Sequence, residues 1–144
     1  MSNDDVLPDA SSPFGERVRR RLRDEKVIWM TTVGRDGTPQ PNPVWFVWEG
    51  SSFLVYNRAD ANRLTHIRSR PRVSLNFDGN DRGGDIVVFT GVAGVAQDEP
   101  PPHESPAYLE RYGEDIKRIS GSPEAFGRDY PVALRIDVTG VRGF

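Results

Sequence analysis

Residues 27–50 read VIWMTTVGRDGTPQPNPVWFVWEG, and this stretch decides the fold. Its first seven residues, 27–33, are mostly β-branched or aromatic, which is typical of a strand, and the GRDG sequence at 34–37 predicts a hairpin turn. The partner strand is predicted over residues 40–49. Proline cannot donate a hydrogen bond to a β-ladder, so the alternating prolines at the start of this strand place it at a sheet edge or a bulge. These prolines are Pro39, Pro41 and Pro43.

A helix precedes this hairpin, and further elements follow it. Ser12 is a suitable N-cap and Pro13 suits the first helical position, while an apolar stripe recurs every four residues from Phe14. The arginines of this helix are expected to form a solvated face. The remaining predicted elements are strands over 53–57, 73–78, 86–95 and 132–138, with helices near 61–69, around 108–116 and near 123–128.

Five or six antiparallel strands in hairpin order, flanked by short helices, predict a mainly β, α+β domain built as a helix-capped antiparallel barrel. Residues 12–144 are expected to form this single domain. Residues 1–11 are rich in Asp, Ser and Pro and are expected to be a disordered leader. No G-x-G-x-x-G or P-loop pattern is present in the sequence, so a doubly wound nucleotide-binding fold is not expected.

The composition excludes several classes of function. The 144 residues contain no cysteine and only two histidines, so neither a thiolate nor a histidine metal site is expected. Nineteen basic and 21 acidic residues leave a net charge of −2, which provides no global field for nucleic acid or anionic lipid. No apolar run approaches the roughly 20 residues that span a bilayer. A cytoplasmic domain without nucleic-acid or membrane partners is therefore expected.

The proline-rich strand start is the first candidate site. Its backbone groups lack ladder partners and could hydrogen-bond the rim of a planar heteroaromatic ring, with Trp45 or Phe46 beside that ring. The alternative is an irregular edge strand whose aromatic side chains simply fill the core.

The segment from Tyr56 to Arg72 is the second candidate site, because a strand ends there and a helix begins shortly after Arg58. Free N–H groups at a helix N-terminus, with arginines nearby, form a phosphate site. The alternative is a solvated basic helix face. Asp60 is expected to be the N-cap of this helix, and His66 is expected to be a packed side chain within it. No catalytic acid–base pair can be assigned.

In this order and spacing, these stretches resemble the pyridoxamine-phosphate-oxidase-like split-barrel superfamily. Within it, the chain resembles the small actinobacterial deazaflavin-dependent oxidoreductases that use coenzyme F-420. The resemblance covers nearly the whole chain after residue 12. It rests on the hairpin TTVGRDGTP (31–39), the strand NPVWF (42–46), Arg63-Leu64, PRVSL (71–75) and Arg135-Ile136.

The resemblance implies an FMN-binding-like split barrel that forms a homodimer, with cofactor sites at the subunit interface and a small-molecule substrate. The backbone of 42–45 would face the ring, and five residues between 56 and 63 would hold the phosphate and the anionic tail: Tyr56, Arg58, Ala61, Asn62 and Arg63. The cofactor-binding residues that it implies are Gln40, Asn42, Pro43, Val44, Trp45, Tyr56, Arg58, Ala61, Asn62, Arg63 and Asn76.

The expected function is hydride transfer between reduced coenzyme F-420 and an unsaturated or quinone-like small molecule, without a metal. Members of the superfamily that bind flavin mononucleotide (FMN) or a tetrapyrrole share the scaffold. The alternative is therefore a protein that binds FMN or a tetrapyrrole without turnover.

Overall fold

A computed structural model of the chain describes residues 6–144. In this part of the chain, seven strands form one antiparallel sheet that is flanked by four α-helices. The strands are β1 (Ile28–Val33), β2 (Pro39–Val44), β3 (Val47–Glu49), β4 (Ser52–Asn57), β5 (Arg72–Asn76), β6 (Val87–Val95) and β7 (Val132–Gly143). The helices are α1 (Pro13–Asp24), α2 (Asn62–Ser69), α3 (Pro106–Ser120) and α4 (Pro123–Asp129).

The strand order β2-β1-β5-β6-β7-β4-β3 explains how the sheet closes. The single strand predicted over residues 40–49 is wrong, because the chain breaks at residues 45–46 into β2 and β3, which lie at opposite ends of the sheet. These two strands are consecutive in sequence, so the two ends of the sheet must come together. The sheet therefore curls into a barrel that stays open along the seam between β2 and β3. This is the expected split barrel, with seven strands instead of five or six.

Strand β2 pairs only with β1, so the prediction that the proline-rich stretch lies at a sheet edge is confirmed. Every second residue of β2 is a proline. Alternate residues of a strand direct their backbone groups to opposite sides, so one side of β2 has no N–H donors. The free edge of β2 is therefore expected to present carbonyl oxygens without neighbouring N–H donors.

Strand β4 is buried along its whole length, because each of its faces covers a different core. Phe53 and Val55 point into the barrel interior, where they pack with residues of the other strands and of α1. Leu54 and Tyr56 point outward into a second core beneath α3 and α4. Alternation of side chains across a strand thus divides one continuous apolar run between two cores.

Helix α1 begins as predicted, because the Ser12 hydroxyl accepts a hydrogen bond from the Gly15 N–H at 2.9 Å. Val18 and Leu22 are buried in the barrel core. The prediction of a fully solvated arginine face is wrong at Arg21, which is 7% exposed. The Arg21 guanidinium donates to the carbonyl oxygens of the loop that joins β5 to β6, at Asp78 (2.6 Å) and Asp85 (3.0 Å).

The segment before α1 differs from the predicted disordered leader over residues 6–11. Leu7 is buried in the barrel core, and the carbonyl oxygen of Pro8 accepts a hydrogen bond from Arg19 at 2.7 Å. The rest of that leader, residues 1–5, lies outside the described residues.

Strand β6 carries a bulge between Thr90 and Gly91, where its register with β7 shifts. At Gly91 the neighbouring β7 backbone approaches closely. A Cβ atom placed there would lie 2.7 Å from the carbonyl oxygen of Asp137 and 2.9 Å from the Ile136 side chain. Gly94, three residues later on β6, has open space in the same position.

We therefore expect Gly91→Ala to destabilise the fold by about 1–3 kcal/mol, because a backbone carbonyl cannot move away as a side chain can. The matched variant Gly94→Ala is expected to leave stability unchanged or to raise it by about 0.5 kcal/mol. Urea unfolding of both variants measures the difference. Equal stability of the two would contradict the close approach of β6 and β7.

Candidate functional site

A cavity of about 320 Å³ opens at the seam where β2 ends and the chain turns toward β3. One wall comes from the end of β2 and the bend that follows, a second from β4 and α2, and the third from α3, α4 and the residue after α4. The lining residues are Pro43, Val44, Trp45, Tyr56, Arg63, Tyr108, Ile119, Phe126 and Tyr130.

Trp45 forms an aromatic wall of the cavity. Its ring stacks on Tyr112 of α3, with centroids 4.7 Å apart and an interplanar angle of 4°, and on Phe126 of α4 at 5.7 Å. Phe46, in contrast, is fully buried in the barrel core. Trp45 therefore lines the cavity while packing against the second core, and Phe46 fills the barrel core; a ring bound beside Trp45 stays a prediction.

Among the described residues that line the cavity, Arg63 is the only cation. It is half-buried, and its Nε donates to the Asn57 side-chain oxygen at 2.5 Å. Within residues 6–144 no carboxylate forms an ion pair with it, and burial lowers the pKa of its guanidinium below the usual range. A desolvated cation without an anionic partner is costly for a folded protein, so this position suits an anionic ligand.

Asn57 holds the Arg63 side chain from β4. It is fully buried, and its amide nitrogen donates to the carbonyl oxygens of Val55 (3.0 Å) and Val132 (3.1 Å). These two bonds fix the amide so that its oxygen faces Arg63. The cation is therefore oriented by the sheet and not by solvent.

The N-terminus of α2 lies beside Arg63. The prediction that Asp60 caps this helix is wrong, because Ala61 occupies the cap position and provides no side-chain hydrogen bond. The backbone N–H groups of Asn62 and Arg63 have no acceptor among the described residues. Free N–H groups at a helix start attract anions through their partial positive charge.

Arg58 is exposed, and its guanidinium lies over the Tyr130 ring, 4.8 Å from the ring centroid. Tyr130 in turn stacks on Phe126 at 4.5 Å. Arg58 therefore contacts a residue of the cavity wall and places a second positive charge near the mouth, whereas Arg63 reaches the cavity directly.

The other predicted site residues lie at varying distances from the cavity. Gln40 and Asn42 are exposed on the edge strand β2, which leads into the cavity at Pro43. Asn76 is half-buried on β5, and its amide donates to the carbonyl oxygen of Phe77. The structure does not bring Asn76 into this cavity.

Four lining residues, all from the last third of the chain, were not predicted as part of the site. These are Tyr108, Ile119, Phe126 and Tyr130. Their sequence signal is the aromatic stripe of α3 and the aromatic residues in and after α4, which also fits an ordinary helix core. Ile119 is 52% exposed at the end of α3, and this exposure beside the cavity is visible only in the structure.

The titratable groups of the cavity are phenols and one guanidinium. The Tyr56 hydroxyl donates to the carbonyl oxygen of Pro100 at 2.7 Å, and burial raises the pKa of Tyr56. His66 lies elsewhere, with its Nδ1 3.0 Å from the Thr32 hydroxyl, and is packed as predicted.

Within residues 6–144, no group of three or more His, Cys, Asp or Glu side chains could hold a metal ion, and no helix is long and apolar enough to cross a bilayer.

Solved structures with the same fold include both a reductase and a heme storage protein. A conserved hypothetical protein from Mycobacterium tuberculosis superposes with a TM-score of 0.70 at 19% identity, covering 99% of this chain and 88% of that one. An F420 reductase gives a TM-score of 0.67 at 22% identity, covering 86% of this chain and 94% of that one. HutZ, a heme storage protein from Vibrio cholerae, gives 0.61 at 14% identity, with coverages of 89% and 92%.

At these identities the structural likeness shows the fold alone. No protein of curated function matches the chain in sequence. The family model for pyridoxamine 5'-phosphate oxidase matches residues 14–144, which include every strand and every residue that lines the cavity. The chain therefore belongs to the pyridoxamine 5'-phosphate oxidase family of split barrels.

Proposed function

We propose that this protein is an oxidoreductase that uses coenzyme F-420 to transfer a hydride to an unsaturated or quinone-like small molecule. One observation carries the proposal. Arg63, a half-buried cation that pairs with no carboxylate among residues 6–144, shares a cavity with the Pro43–Trp45 segment. Arg63 can bind a phosphate, and the end of β2 beside it offers Trp45 and unpaired backbone groups to a flat ring. This combination suits a redox cofactor whose ring carries a phosphate. The likeness to an F420 reductase supports the same choice of cofactor.

The residues present fit such a cofactor. Arg63 and the free N–H groups at the head of α2 would hold the phosphate, with Arg58 at the mouth attracting the anionic tail. The free edge of β2 would accept hydrogen bonds from N–H groups on the ring. Trp45, held by its stack on Tyr112, would provide a flat apolar contact.

When bound, reduced coenzyme F-420 would supply a hydride to the acceptor and release a proton to solvent, while the acceptor would take one proton from water. The chain's own contribution is to bind and orient both reactants. The aromatic walls limit the access of water to the reactants, and the Arg63 guanidinium would neutralise the charge of the bound phosphate. No described residue is assigned as the proton donor.

We further propose that the protein acts as a homodimer. The outer face of the sheet carries a second, largely apolar cleft of about 780 Å³, with Val92 43% exposed. Pro39 of β2 borders this cleft, while Pro43 of the same strand borders the cavity. A second copy seated on this face would cover the edge strand and thereby complete the ring site.

A carrier that binds FMN or a tetrapyrrole without turnover is the second candidate, and it is supported by the absence of an assigned acid–base pair. The heme storage protein with the same fold provides a precedent for the tetrapyrrole version. No histidine lines this cavity, however, which favours a flavin or deazaflavin over an iron tetrapyrrole.

Arg63→Gln removes the charge but keeps an N–H donor for Asn57. We expect it to weaken coenzyme F-420 binding by about 10- to 100-fold, because a charge-assisted hydrogen bond contributes about 1.5–3 kcal/mol. Arg68→Gln, an equal charge change at an exposed position of the same helix, is expected to leave affinity within about twofold. Isothermal titration with coenzyme F-420 and with FMN measures both effects and identifies the preferred cofactor.

Equal losses of coenzyme F-420 affinity in Arg63→Gln and Arg68→Gln would indicate general electrostatic attraction. Unchanged affinity in both variants would contradict the assignment of Arg63 to the phosphate. Turnover is tested by mixing the wild-type protein with reduced coenzyme F-420 and an electron-accepting dye. An oxidoreductase accelerates dye reduction, whereas tight binding without acceleration favours the carrier.

The dimer proposal predicts that Val92→Glu converts a dimer to a monomer, because a carboxylate in an apolar interface loses its hydration without gaining a partner. The matched control is Val27→Glu, since Val27 is also 43% exposed but does not line the outer cleft. Light scattering coupled to size-exclusion chromatography gives the mass of each variant. A wild-type monomer at micromolar concentration, or a Val92→Glu dimer, contradicts the interface.

A further inference from the structure

The three tyrosines that line the cavity differ in what their hydroxyl groups contact. The Tyr56 hydroxyl donates to a backbone carbonyl, and Tyr130 is half-buried so that water can reach it. Tyr108 is only 1% exposed, and its hydroxyl has no hydrogen-bond partner among residues 6–144. Buried phenol hydroxyls normally find a partner, so this exception requires an explanation.

The Tyr108 hydroxyl is nevertheless not sealed inside the protein. The buried side-chain atoms that lack both a partner and solvent access belong to Arg17, Asp85 and His103, and Tyr108 is not among them. The Tyr108 side chain lines the cavity, which is the open space next to this residue. Its ring is fixed by an edge contact with Tyr56 at 4.9 Å and a tilted contact with Tyr112 at 4.9 Å.

On the basis of the proposed function, we propose that the Tyr108 hydroxyl is the hydrogen-bond donor to a carbonyl oxygen on the flat, uncharged reactant that enters the cavity. Apart from Arg63, the lining consists of aromatic, aliphatic and proline side chains. These surfaces accept a flat apolar body, and a single fixed donor then sets its orientation. Burial also raises the pKa of Tyr108, which keeps the hydroxyl protonated and able to donate at every physiological pH.

Tyr112 provides a matched comparison four residues along the same helix. It is equally buried, but its hydroxyl accepts from the Phe46 N–H at 2.9 Å and lies 2.7 Å from the carbonyl oxygen of Lys26, to which it donates. Removing this hydroxyl breaks bonds within the protein. Removing the Tyr108 hydroxyl breaks none, so a loss of binding in that variant would report contact with the ligand.

The test uses two probes of the same shape on the full chain. Menadione carries two carbonyl oxygens on a methylated naphthalene ring, and 2-methylnaphthalene carries none. We expect the wild-type protein to bind menadione about tenfold more tightly than 2-methylnaphthalene, which is the value of one net hydrogen bond. Equilibrium dialysis measures both dissociation constants.

In Tyr108→Phe the preference for menadione is expected to disappear, with the melting temperature unchanged or raised. In Tyr112→Phe the preference is expected to remain, with the melting temperature lowered. A preference retained in Tyr108→Phe overturns the proposal, as does a Tyr108→Phe melting temperature that falls as far as that of Tyr112→Phe. A wild-type protein without any preference overturns it too.

Failure of this inference can be distinguished from failure of the proposed function. Titration of Tyr108→Phe with coenzyme F-420 tests the phosphate site separately, and its affinity is expected to stay within about threefold of wild type because Arg63 and the head of α2 are unchanged. If the wild-type protein does not bind the cofactor, the proposed function fails whatever the result with menadione.

Discussion

The bend at residues 45–46 is held by one side chain, and the seam of the barrel depends on it. The Tyr112 hydroxyl bonds the Phe46 backbone, while the Tyr112 ring stacks on Trp45. Phe46 is buried between two strands, so without the Tyr112 hydroxyl its backbone N–H and carbonyl groups would lack hydrogen-bond partners. Helix α3 therefore stabilises the point where the chain crosses from one end of the sheet to the other.

This arrangement also explains why the cavity lies where it does. A closed barrel would pair β2 with β3 and leave no space between them. Here the seam stays open, and α3 and α4 cover it from outside with aromatic side chains at van der Waals distance. The residues that hold the bend and those that line the cavity thus belong to one packed cluster.

Polar groups in the cavity are few, and each is fixed by the sheet or by a helix. Asn57, locked to two carbonyl oxygens of the sheet, orients Arg63. The phenol of Tyr108 is fixed by its ring contacts. An apolar pocket with a small number of oriented polar groups selects ligands by shape first and by hydrogen bonding second. Rigid placement of this kind reduces the ordering cost when a ligand binds.

The sequence by itself determined the local elements and the edge strand. Alternating prolines predicted an edge or a bulge at the start of β2, and Ser12 with Pro13 predicted the start of α1. Only the tertiary structure decided that residues 40–49 form two strands and that Tyr108 and Tyr130 face the same cavity as Arg63. The reason is separation in sequence: the contact between Phe46 and Tyr112 spans 66 residues, and no local pattern encodes such a contact.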